Sequence, residues 1–288
     1  MTPLRQRMID AMQLRGMADR TQQAYLAAVS GLSRHYGCSP DDLDSQRVQG
    51  YLLHLVRERH LARSSVNQAG CAFRFLYHTV LERREQVQVP LARAEQRLPQ
   101  LLSREELARL FACAHEGKPR TVLMTAYALG LRVGELCHLR VGDIDSHADR
   151  MCVRIVQGKG ARDRYVPLPP DVLQVLRAWW KLARPRDWLF GAQTDPGKPL
   201  CEDSASRWYH AARHAALIHK RGGIHTLRHC YATHLLEAGV DLANLSQWMG
   251  HRHVSTTMRY LHLASPSAPE AVRRTPLALL QALPLQPH

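Results

Sequence analysis

Residues 86–100 interrupt the chain. They hold two prolines, Pro90 and Pro99, and show weak hydrophobic periodicity. Proline has no amide hydrogen to donate and breaks a helix or a central strand. The stretch therefore reads as a linker between a domain at residues 1–85 and another at 101–288. A chain of 288 residues is long enough for both. Just past the linker, Ser103-Arg-Glu-Glu106 matches a capping box, so the second domain is expected to begin there with a helix.

The two sides of the linker differ in pattern. Residues 1–85 read as helices only, four or so in number. Apolar positions from Tyr25 to Leu32, and again at Val48, Tyr51, Leu52, Leu55 and Val56, fall at helical spacing. Ser39-Pro40-Asp41-Asp42 is a turn and helix-start signal, and Ser64 or Ser65 is the expected cap of a third helix. Beyond the linker, Thr121–Leu129 is an apolar helix stopped by Gly130. Met151–Val156 and Arg164–Leu168 read as strands around a turn at 158–163. Helices are expected after Asp171 and over Ser204–Leu217, Leu227–Glu237 and Leu242–Met249, with Gly239 and Gly250 at C-terminal caps. Ser255-Thr-Thr opens a last helix, expected to carry Tyr260. The fold class is thus mainly α with a small β-sheet: a helical N-terminal domain and an α+β second domain.

Composition narrows the partners. Apolar residues make up 45% of the chain, ample for two cores. The formal net charge is +14, spread over both domains, which suits a polyanion and most often a nucleic acid. The seven cysteines are scattered with no C-x-x-C, so neither a zinc ribbon nor a disulfide framework is indicated. Arg and Asp interrupt residues 1–20, no run approaches the ~18 apolar residues of a membrane span, and a soluble, cytoplasmic protein is expected.

The residues that carry chemistry lie in the second domain. Two arginines, Arg132 in Gly130-Leu-Arg132-Val-Gly-Glu135 and Arg228 in His225-Thr-Leu-Arg228-His229, stand at helix starts, where a guanidinium fork and helix N–H groups suit phosphate oxygens. Either one alone reads as a surface residue. Tyr260, nine residues after His251, is the candidate nucleophile, although a tyrosine in apolar surroundings is ordinarily core. His225 and His251 are candidates for proton transfer or for donation to a phosphate. Lys159, between two glycines on the turn linking the strands, can reach into a DNA groove. His229 and His234 are five apart, a poor match to the i, i+4 pair of zinc helices, and are read as scaffolding. No metal site is expected.

Together these segments resemble the tyrosine recombinases of the phage integrase family, in the style of Xer-type recombinases and integron integrases. The carrying segments are Ala128–Leu136, Gly158–Leu168, His225–Leu236 and Met249–Tyr260. Thr21–Leu81 also resembles the family's helical, SAM-like core-binding domain. The resemblance implies a site-specific recombinase that cleaves and rejoins double-stranded DNA through a 3′-phosphotyrosyl bond, without metal or ATP. It implies that Arg132 and Arg228 clamp the scissile phosphate. Lys159 is then the general acid, His225 assists proton transfer, His251 hydrogen-bonds the phosphate and Tyr260 is the nucleophile, with Glu135 behind them. It further implies a tetramer on DNA and a C-terminal tail that docks on a neighbour. Met249-Gly-His251 departs from a commoner Leu-Gly-His. A type IB topoisomerase-like enzyme and a non-catalytic DNA-binding protein are the alternatives.

Overall fold

The computed structural model describes residues 2–83, 88, 89, 91, 99–156, 163–251, 253–261 and 263. Most of the expected linker, the turn with Lys159 and the C-terminal tail lie outside the described residues. The chain divides into two compact units, residues 1–97 and 98–288.

The first unit is helical. Helix α1 spans Pro3–Leu14, with Thr2 as its cap and Pro3 at its first position. Helix α2, Asp19–Tyr36, ends where Gly37 adopts a left-handed conformation. A short 3-10 turn at Pro40–Asp42 leads to α3, Ser45–Arg57, capped by Asp44. Helix α4, Arg63–Arg74, follows Ala62 rather than either serine, and no side chain caps it. It runs on into a π-helical turn at Phe75–Val80, which places Phe75, Leu76 and Tyr77 in the core. These pack with Met8, Met12, Leu32, Val48, Leu52 and Phe73. The buried Tyr77 hydroxyl donates to the Pro40 carbonyl, tying the end of this helix to the 3-10 turn.

The second unit opens with the capping box. Ser103 Oγ accepts from the Glu106 amide at 3.1 Å, and Glu106 accepts from the Ser103 amide at 2.7 Å. Helix α5 follows at Arg104–Cys113, then α6 at Lys118–Ala128, buried from Thr121 onward. Gly130 ends the run with a φ of +58°, and a Cβ there would lie 2.3 Å from the Tyr231 ring. The one-turn helix α7, Val133–Cys137, comes next.

A three-stranded antiparallel sheet follows in the order β1-β2-β3: Ile144–Asp145, Cys152–Ile155 and Arg164–Pro167. Val153 pairs with Val166 and Ile155 with Arg164. Period-two alternation puts Val153, Ile155, Arg164 and Val166 on the buried face. An arginine thus occupies a core-facing strand position.

Helices α8 (Pro170–Ala183), α9 (Glu202–Ala215), α10 (His225–Glu237), α11 (Leu242–Met249) and α12 (Ser255–Met258) complete the unit. Helix α10 is buried on nearly every side, as expected of a central helix without an amphipathic stripe. It begins at His225, so Arg228 lies in its first turn. Asp241 caps α11 and Gly250 ends it. Helix α12 closes at Met258, and Tyr260 sits in the turn beyond it rather than on the helix. Among the described residues no helix is long and apolar enough to cross a membrane.

Candidate active site

The site is built around one buried carboxylate. Glu135, on α7, accepts from both terminal nitrogens of Arg164 at 2.8 and 2.7 Å. It also accepts from Arg132 Nη1 at 2.7 Å and from the Arg132 amide at 2.9 Å. Burial would raise this carboxyl, but the Arg164 hydrogen bonds and charge outweigh it, with Arg132 assisting, and hold it down to about 2. The carboxylate stays ionised and fixes the direction of both arginines.

Backbone carbonyls at the end of α11 complete the frame. Arg164 Nε donates to the Trp248 carbonyl at 2.7 Å, and Arg132 Nη2 donates to the Gly250 carbonyl at 3.1 Å. Arg228, on α10, donates to the Met249 carbonyl and, at 2.6 Å, to the Gly130 carbonyl. Its Nη1 lies 3.9 Å from Glu135. Gly250 has a φ of +60°, and a Cβ there would meet the Arg164 side chain at 2.8 Å. Its lack of a side chain lets the three arginines converge. Two of them differ in access: the Arg132 side chain is 23% exposed and the Arg228 side chain 1%.

The histidines and the tyrosine line the same region. His251 Nε2 is 3.2 Å from Arg228 Nη2. A guanidinium only donates, so Nε2 is the acceptor and Nδ1–H donates to Thr257 Oγ1 at 2.7 Å. Burial first, then Arg228 and Arg132, push this imidazole down to about 3, so it is neutral at physiological pH. The His251 ring lies nearly parallel to that of Tyr260, with centroids 6.2 Å apart. Tyr260 is only 2% exposed. Burial raises its phenol, while Arg228, Arg259 and Arg132 pull in the opposite sense. Its hydroxyl lies 2.9 Å from His229 Nδ1. The His225 ring meets that of His229 edge-on at 4.7 Å. Partial desolvation by its neighbours, with Arg228 and Arg132 next, lowers His225, although the residue itself is exposed.

Arg132 at the cap of α7 and Glu135 on it, His225 and Arg228 on α10, His251 just past the end of α11 and Tyr260 in the turn after α12 are thus brought together. Lys159 lies outside the described residues. Sequence reasoning missed two members. Arg164 stood inside the quoted strand segment, and its signal was a charge on the face that alternation buries. His229 was set aside as scaffolding, yet it touches the tyrosine oxygen; its signal was the i, i+4 spacing from His225. His234 points elsewhere, with Nδ1 3.0 Å from the Tyr127 hydroxyl. Among the described residues no three His, Cys, Asp or Glu side chains are grouped to hold a metal ion.

Residues 100–266 match the model of the phage integrase family, and residues 4–86 match that of the phage integrase N-terminal SAM-like domain. An integrase/recombinase of Sinorhizobium fredii, y4qK, is 40% identical over 92% of this chain and 86% of its own. The chain belongs to the phage integrase family. Tyrosine recombinase XerC of Pelotomaculum thermopropionicum is 30% identical over 87% of each chain. As a phage integrase family member the protein is a tyrosine recombinase, an enzyme that cleaves and rejoins DNA strands. Two solved structures share its fold. XerH recombinase bound to a palindromic difH substrate covers 91% of this chain and 82% of its own at 19% identity, with a TM-score of 0.69. A lambda integrase tetramer bound to a Holliday junction covers 88% and 75% at 18% identity, with a TM-score of 0.71. These likenesses favour neither the topoisomerase-like nor the non-catalytic alternative.

Proposed function

We propose that this phage integrase family member is a site-specific recombinase of duplex DNA, with Tyr260 as its nucleophile and Arg132 and Arg228 as its phosphate clamp. The observation that carries this reading is the seating of Tyr260 against α10, the helix whose first turn supplies Arg228. Tyr260 Oη attacks the scissile phosphorus and forms a 3′-phosphotyrosyl bond as the 5′ oxygen leaves. Lys159 protonates that oxygen. Charge building on the non-bridging oxygens is held by the two arginines, which need no reorganisation because Glu135 and the carbonyls of Gly130, Met249 and Gly250 already aim them. His251 exchanges its contact with Arg228 for one with the phosphate, its proton shifting from Nδ1 to Nε2 so that the ring donates to a phosphate oxygen, and His225 assists proton transfer. A 5′ hydroxyl from a second strand then attacks the phosphotyrosyl bond. One phosphate ester replaces another, so the exchange needs no external energy source.

Four protomers on two DNA sites would exchange strands in pairs through a Holliday junction, in the cytoplasm. The test uses nicked suicide duplexes whose cleaved end diffuses away, enriched from a randomised pool by covalent capture. The wild-type protein is expected to form a denaturation-resistant adduct, and Tyr260→Phe none. An adduct with Tyr260→Phe rules out Tyr260 as the nucleophile.

A further inference from the structure

None of the roles proposed above uses His229, yet among the described residues its side chain is the one hydrogen-bonded to the proposed nucleophilic oxygen. Its Nδ1 lies 2.9 Å from Tyr260 Oη, and the hydroxyl is enclosed, since Tyr260 is 2% exposed. The other nearby imidazoles are placed differently. His251 stacks against the tyrosine ring, and both of its nitrogens are engaged, with Arg228 and Thr257. His225 packs edge-on against His229, one turn back on α10. His229 therefore stands between His225 and the tyrosine.

We propose that His229 is a catalytic residue: the proton acceptor for Tyr260 during strand cleavage and the donor that returns the proton during rejoining. The inference rests on the nucleophilic role proposed for Tyr260. In cleavage the Oη–H proton passes to the Nδ1 lone pair, Oη bonds to phosphorus, and the phosphorus–O5′ bond breaks. O5′ takes its proton from Lys159. In rejoining, the incoming 5′ hydroxyl returns a proton to Lys159 as its oxygen bonds to phosphorus. The phosphorus–Oη bond breaks, and His229 Nδ1–H reprotonates Oη. Atoms and charges balance over the cycle.

The surroundings make the acceptor responsive to substrate. Burial, then His225, Arg259 and Arg228, lower His229 to about 4, so in the free protein it is neutral and its lone pair is available. A phosphodiester bound at Arg228 offsets part of the positive field that opposes an imidazolium. The base therefore strengthens when DNA is in place.

Two measurements test this. Nitrogen-15 NMR of the free full-length protein is expected to show neutral His229 with its proton on Nε2, and an Nδ1 shift that moves in Tyr260→Phe. A proton resident on Nδ1 overturns the proposal. The second measurement follows single-turnover adduct formation on the enriched suicide duplexes. His229→Ala and His229→Gln are expected to bind them with unchanged affinity and to form adduct about 100-fold more slowly, the ordinary size of a general-base effect. Glutamine accepts the hydrogen bond but cannot hold the proton, so a wild-type rate in His229→Gln overturns the proposal. Replacing Tyr260 by a ring-fluorinated tyrosine, a more acidic phenol, is expected to recover about tenfold in His229→Ala and little in wild type. Equal losses with both phenols count against proton transfer. Absence of adduct from the wild-type protein overturns the reading of Tyr260 itself.

Discussion

Arg164 and Glu135 form a two-pronged ion pair that joins β3 to α7, with N–O distances of 2.8 and 2.7 Å and both side chains buried. The planar guanidinium fork matches the carboxylate, and Arg164 Nε is left to bind the Trp248 carbonyl. The pair therefore couples the sheet, α7 and the end of α11, the three pieces that surround Arg132 and Arg228.

Acid should release this frame. The folded protein holds Glu135 at about 2, below the usual 4.5. A depressed carboxyl contributes stability above its unfolded pKa and loses it as pH falls through the folded one. The contribution is about 3 kcal/mol. Glu135→Gln is expected to be less stable by about that amount at pH 7, with the gap closing between pH 4.5 and 2. Urea unfolding followed by tryptophan fluorescence reads this directly, because all five tryptophans lie in the second unit. A gap that does not change with pH would sink the assignment.

Arg228→Lys should separate clamping from binding. One ammonium does not reproduce the fork that spans the Gly130 and Met249 carbonyls. Leaving a buried acceptor unpaired costs about 1–3 kcal/mol, and losing a charge-stabilising donor slows cleavage about 10² to 10³-fold. DNA affinity, spread over many phosphate contacts, should change little. Gel-shift and single-turnover cleavage on one duplex compare the two, and parallel losses count against a clamp.

Arg132 is the more exposed arginine of the pair, and its contact with DNA should appear in salt dependence. Arg132→Ala is expected to lower the slope of log affinity against log salt by about one. An unchanged slope in a titration of binding against sodium chloride argues that Arg132 does not reach a phosphate.

Gly250→Ala is a small change with a large expected effect. The left-handed conformation costs a non-glycine residue about 1–2 kcal/mol, and the new Cβ would press on Arg164 at 2.8 Å. The variant should be destabilised by at least that amount and should cleave more slowly, since the Gly250 carbonyl also holds Arg132. Wild-type stability in urea would show that the turn relaxes without cost.

Local signals explain what was legible in the sequence. Asp241 and Gly250 bracket α11, and its bounds, Leu242–Met249, agree with the sequence reading. Ser103 and Glu106 announce α5 in the same way. Helix α4 starts at Arg63 without a capping side chain, so the serines beside it misplaced the boundary by two or three residues. Strand β1 is two residues long and is held by pairing with β2, which leaves no periodicity to read. Arg164 escaped notice for a related reason. Its partners are Glu135 and Trp248, 29 and 84 residues away, and only the folded chain brings them to a strand position that alternation would give to an apolar residue. His229 was hidden by its neighbour Arg228, which carried the motif.

The contacts around Glu135 also set a charge balance. Arg132, Arg164 and Arg228 face one carboxylate, so the cluster holds two positive charges in excess. A phosphodiester brings one negative charge and leaves one unmatched. The five-coordinate phosphorus formed as the tyrosine oxygen adds, its proton already gone, carries two. Under the roles proposed above, the three arginines and Glu135 taken by themselves are balanced at that midpoint, which would favour the fleeting dianion over the DNA that enters or leaves.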